Sequence, residues 1–181
     1  MKSLNTIQKL SKIGRILSKI VFVASAIGFF GCIVGLVSLN LGNGSLIKIG
    51  STALRNLIDS DYGYNIKSIT ATLSGWLIIY AGEAVLAKFA ESYFKNELKA
   101  GTPFTSDGAK EMKRLGILTI AIPVGSAAIG NIVEEIIAGF MKIEKTMVLD
   151  MYFDNDTRIV LGIAFILGSL LCRLGAEQVQ Q

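Results

Sequence analysis

Histidine is absent from the 181 residues, and with it the commonest general base and the commonest side-chain ligand for transition metals. The only two cysteines, Cys32 and Cys172, both lie inside apolar runs; they read as small packing residues, with no disulfide framework or thiolate metal site between them. Charge is scarce as well. Asp, Glu, Lys and Arg make up 18% of the chain against 51% hydrophobic residues, and the mean hydropathy is +0.54, which excludes an ordinary soluble domain. No glycine-rich phosphate loop, CxxC pair, HExxH or GxSxG occurs, and no serine has a plausible catalytic base beside it. The expectation is a non-enzymatic protein with no metal and no cofactor.

What the chain does have is long apolar runs with its charges between them. A bilayer core of about 30 Å takes roughly 20 apolar residues in a helix, and four segments suit it: about 20–41, 69–89, 115–137 and 158–174. The predicted fold is all-α, an integral membrane four-helix bundle with short interfacial helices, forming a single membrane domain over 1–181. The net charge of +4 does not indicate direct nucleic-acid binding, because no basic stripe interleaved with aromatics is present. Basic residues beside apolar spans instead report orientation. Twelve of the 18 Lys and Arg residues fall in the N-terminal segment, the central connection from Lys88 to Arg114 and the C-terminal end, and six in the other two loops, 42–68 and 138–157 with Arg158. Both termini are therefore expected on the cytoplasmic side of a bacterial cytoplasmic (inner) membrane.

The first 19 residues carry Lys2, Lys9, Lys12, Arg15 and Lys19, with apolar residues at helical spacing, as in a segment that lies on a membrane before entering it. Ala24-Ser25-Ala26 imitates a signal-peptide cleavage site, but too few apolar residues precede it and the run continues to Leu41, so a retained helix is expected. Gly31 and Gly35 form a small-xxx-small pair for close helix approach, within the molecule or in a homo-oligomer. Ser51 can cap a short interfacial helix over 51–60, and Tyr62 and Tyr64 suit an interfacial belt. Phe140, Ile143, Met147 and Met151 describe a second interfacial edge.

Glu83 is the one acid well inside a span and needs a partner or a proton; Arg173 or Lys19 is expected to supply an intramembrane ion pair. In the central connection, 90–114, Gly101 ends one helix and Pro103 forces an extended turn. Ser106 or Thr105 then caps the next helix, which runs into a span interrupted by Pro123, where a kink is expected. Asn131, Glu134 and Glu135 close that span on its outer side and are a candidate external site.

Ala100-Gly101-Thr102-Pro103-Phe104-Thr105, followed by Lys110, Lys113, Arg114, Leu115 and Gly116, resembles a motif of the YoaS-like family of small four-span bacterial membrane proteins, a domain of unknown function. Leu171-Cys172-Arg173-Leu174-Gly175-Ala176-Glu177 is similar to that family's closing segment. Members often carry a longer acidic tail than Val179-Gln180-Gln181. The resemblance implies a cytoplasmic helix-turn-helix regulator as partner.

Two functional readings follow. In the first, a regulatory or sensory membrane protein docks such a partner on Pro103 and Phe104 as apolar anchor, with Lys110, Lys113 and Arg114 as charged rim. In the second, a transport accessory or peptide-immunity protein meets an external peptide or ion through Asn131, Glu134 and Glu135.

Overall fold

The computed structural model describes residues 2–40, 48–49, 52–53, 66–102, 104–143 and 156–179. Among these are four long helices, α1 (Lys2–Asn40), α2 (Ile66–Ala100), α3 (Ser106–Met141) and α4 (Asp156–Val179). All four are long and apolar enough to cross a membrane. The basic N-terminal segment is no separate surface element, because α1 is continuous through Lys19 into its apolar part. Likewise α3 is continuous across Pro123, whose ring is fully buried.

Two short strands, β1 (Lys48–Ile49) and β2 (Thr52–Ala53), pair antiparallel with Lys48 opposite Ala53 and Ile49 opposite Thr52. This corrects the expected helix over 51–60 at Thr52 and Ala53. A helix that short is marginal without packing, whereas the paired strands give each other's backbone groups partners. The remainder of that segment, with Tyr62, Tyr64, Pro103, Met147 and Met151, lies outside the described residues.

The turn between α2 and α3 follows from three residues. Gly101 has φ +74°, in the left-handed region open to glycine, and its amide donates to the Glu97 carbonyl at 3.0 Å. Thr102 Oγ1 accepts the Phe104 amide at 3.2 Å. Thr105 Oγ1 accepts the Gly108 amide at 2.9 Å, so Thr105 caps α3. Gly101→Ala should destabilise the protein by roughly 1–2 kcal/mol, the cost of a left-handed non-glycine residue, read as a lower midpoint of thermal unfolding in detergent.

The contacts fall into two compact units. The first holds residues 1–24, 82–124 and 154–181, and the second 25–81 and 125–153. In the first unit Gly14 lies under the Phe94 ring, and α3 meets α4 at two glycines. A Cβ on Gly116 would stand 2.7 Å from the Gly162 carbonyl oxygen, and one on Gly162 2.8 Å from that of Gly116. In the second unit Gly28 lies under Tyr80, and a Cβ on Gly130 would be 3.0 Å from the Gly75 carbonyl oxygen. Ile79 and Ala127 are fully buried there.

The polarity of this packing is reversed relative to a water-soluble protein. The buried set is rich in Ser, Ala, Gly and Cys, while Ile, Leu, Val and Phe dominate the exposed surface. Along α1, Ser11, Ser18, Ser25, Cys32 and Leu39 recur every seventh residue and all are buried, the period of a helix seam. Ser11 and Ser18 donate to the carbonyls of Ile7 and Gly14 one turn back, at 2.9 and 2.8 Å, which satisfies their hydroxyls inside the helix. Close approach in membranes uses such small residues. Within the chain, Gly31 and Gly35 do not act as a pair. Gly31 is exposed with nothing near it, whereas Gly35 faces Leu73.

Candidate functional site

Within the first unit, α3 and α4 enclose a groove of 440 Å³ lined by Lys110 and Lys113 from α3 and by Arg173 and Glu177 from α4, with Ser106 and Ser169 on its walls. Lys110 and Lys113 are three residues apart and so share a helix face. Arg173 Nε donates to Glu177 Oε1 at 3.0 Å, one turn along α4. Lys110 Nζ stands 3.7 Å from Asp107 Oδ1. Both pairs are largely exposed, where ion pairs contribute little, so the cations stay available to an incoming anionic group. Beside the groove, Phe104 remains 43% exposed. Its ring rests on Gly175, where a Cβ would come within 2.9 Å of it.

Arg114 does not join this face. One residue past Lys113 it has turned about 100° around α3, and its guanidinium lies 5.0 Å from the Phe89 ring centroid, a cation–π contact. The cations that line the groove are thus Lys110, Lys113 and Arg173, in place of the expected grouping of Lys110, Lys113 and Arg114. Arg173 was expected beside Glu83 and its place here went unforeseen, although its spacing from Glu177 marks an exposed helical pair.

Glu83 is paired, but with neither expected partner. Arg158 Nη2 donates to Glu83 Oε1 at 2.6 Å, a short charge-assisted bond. Lys19 instead approaches Glu91 at 3.8 Å, and Glu91 accepts a closer bond from Lys88 at 2.9 Å. The physical reason is the register of α4. With Gly162 seated on Gly116 and Gly175 under Phe104, the first turn of α4 comes level with Glu83 and its last turns with the α2–α3 connection. The pair lies at one end of a cleft of 470 Å³ lined by α1, α2, α3 and α4 of the first unit.

In the second unit the three residues of the expected external site, Asn131, Glu134 and Glu135, diverge. Glu134 is 6% exposed and accepts a hydrogen bond from Thr72 Oγ1 at 3.2 Å. Glu135, next along the helix, is exposed, and Asn131 is half-buried on the Glu134 side. The two acids therefore do not open onto one surface, and Glu134 ties α3 to α2. Among the described residues no cluster of metal-ligating side chains occurs.

No family model, curated protein or solved structure matches this chain.

Proposed function

We propose that the chain is a non-enzymatic, multi-pass protein of a bacterial cytoplasmic membrane, with both termini in the cytoplasm, that acts in regulation by docking an acidic segment of a cytoplasmic partner. The observation that carries this reading is the convergence of Lys110, Lys113 and Arg173 on one groove beside the exposed Phe104 ring. Phe104 supplies the apolar anchor and the three cations the electrostatic rim that steers and orients an anionic partner. The likeness of the central connection to the YoaS-like family supports a small helix-turn-helix regulator in that role. The reversed burial, with leucines and isoleucines outside and serines within, supports the membrane setting.

Recovery of partners from native membranes after brief crosslinking tests this. The triple variant Lys110→Glu, Lys113→Glu, Arg173→Glu should lower recovery of a cytoplasmic partner by at least about tenfold, a loss of roughly 1.4 kcal/mol. Phe104→Ala should lower it by a similar factor without changing membrane insertion. Equal recovery from both variants and the native protein would sink the reading.

A further inference from the structure

The cleft that begins at Glu83 and Arg158 is not used by the docking surface, and its walls specify what it can hold. Each of its polar groups already has a partner within the protein. Glu83 and Arg158 bond each other at 2.6 Å, Ser18 donates to the Gly14 carbonyl at 2.8 Å, and Thr119 donates to the Leu115 carbonyl at 2.8 Å. None of these groups needs an occupant to supply a partner, and the rest of the lining, with Leu17, Val21, Leu86, Leu161 and Phe165, is apolar. A hydrocarbon breaks none of these bonds.

Leu17 and Val21 of α1 and Leu161 of α4 line the cleft and are 54%, 47% and 49% exposed. Wall residues so accessible mean that the cleft opens sideways onto the same apolar surface that α1 and α4 present outward. Two of the α1 lysines are turned elsewhere. Lys19 approaches Glu91 on α2, and Lys12 lies about 160° around the helix from Gly14 and about 120° from Ser18. From Glu83 to Phe94, the span of α2 that walls the cleft, eleven residues rise about 16 Å, close to the roughly 15 Å of one leaflet in a bilayer core of about 30 Å.

We propose that this cleft is a lipid site that holds one acyl chain of a bilayer phospholipid. The chain end lies toward the Glu83–Arg158 pair and the headgroup toward the Gly14 and Phe94 end. The site rests on the membrane setting proposed above but not on the partner.

The test uses the full chain reconstituted into phosphatidylethanolamine and phosphatidylglycerol vesicles doped with a phospholipid whose acyl chain carries a photoactivatable group, with adducts mapped by peptide mass spectrometry. Adducts should concentrate on Leu17, Val21 and Leu161 relative to Ile16 and Ile20, which face outward on α1. Ala90→Leu, which extends a wall residue into the cleft, should reduce cleft adducts about tenfold, as expected when roughly two methylene contacts are excluded, with Ile16 and Ile20 labelled as before. Ser18→Val is the milder variant should Ala90→Leu lose helicity. Uniform labelling of α1 in vesicles from which the protein resists alkaline extraction would overturn the lipid site alone. Loss of the protein to alkaline extraction would overturn the membrane setting and the site together. Adducts joining two protein chains at Leu17 or Leu161 would assign the cleft to a second copy and overturn the proposal.

Discussion

Gly116→Ala and Gly162→Ala should each destabilise the protein by about 1–3 kcal/mol, the range for forcing added methyl groups into a packed interface. A lone methyl group at either position meets backbone, the carbonyl oxygen of the other glycine, at 2.7 or 2.8 Å. Backbone cannot swing aside as a flexible side chain does, so α4 has to move off α3. Helix propensity pulls the other way, since alanine is favoured over glycine by roughly 1 kcal/mol within a helix, and the clash has to exceed that gain. Two other helical glycines, one on α1 and one on α3, serve as controls. Gly31 and Gly125 have nothing within 4 Å of an added Cβ, so Gly31→Ala and Gly125→Ala should be neutral or stabilising by up to about 1 kcal/mol. Unfolding in mixed micelles with increasing sodium dodecyl sulfate, followed by circular dichroism, reads both signs. Four equal midpoints would show that α3 and α4 do not meet at those glycines.

The ion pair gives the second large effect. Removing one member of a buried pair costs about 3–5 kcal/mol, because the survivor is left charged and unsatisfied. Here Arg158 is about one-third exposed and Glu83 less so, so about 2–3 kcal/mol is expected for Glu83→Leu or Arg158→Leu. The double variant should regain most of that loss, since replacing both partners with apolar groups is often close to neutral. The exchange Glu83→Arg with Arg158→Glu should regain part. Stabilities that simply add, with a coupling below about 0.5 kcal/mol, would mean that the two side chains do not act on each other. Neither Arg173→Leu nor Lys19→Leu should show coupling to Glu83.

Those expectations differ from the sequence reading for an identifiable reason. The four helices were legible because an uncharged run such as 20–41 can hardly be anything else, and the α2–α3 turn was legible because Gly101 and Thr105 are local signals with local causes. Glu83 needed a partner, and that too could be read from its position in an apolar run. Which partner it has depends on how far α4 slides along α3, and no local signal encodes that. Counting residues from assumed span ends put Arg173 and Lys19 level with Glu83. Gly116 and Gly162, where one backbone touches another, put Arg158 there instead.

The same limit applies to the basic groove. Lys110 and Lys113 share a face by their spacing alone, but Arg114 was grouped with them by proximity in sequence although the helix carries it round to Phe89. On α1 the four-residue glycine spacing points to Gly31, which faces outward, whereas the buried face follows the seven-residue recurrence of Ser11, Ser18, Ser25 and Cys32. That recurrence was the available sign of the buried face.

A seam that repeats every seven residues carries an ambiguity of its own. Ser18 spends its hydroxyl on its own helix, and of the seam serines Ser11 also reaches Glu97 on α2, so directional bonding to α2 is sparse, and α1 displaced by one repeat would present nearly the same small surface. The aromatic rings on α2 remove that degeneracy. Phe94 sits over Gly14 and Tyr80 over Gly28, each ring needing a residue without a side chain, and a shift of seven would bring Val21 under one of them. In each unit, then, a ring and its notch work as a key and its slot, by which nearly uniform apolar helices can tell one alignment from the next while they assemble.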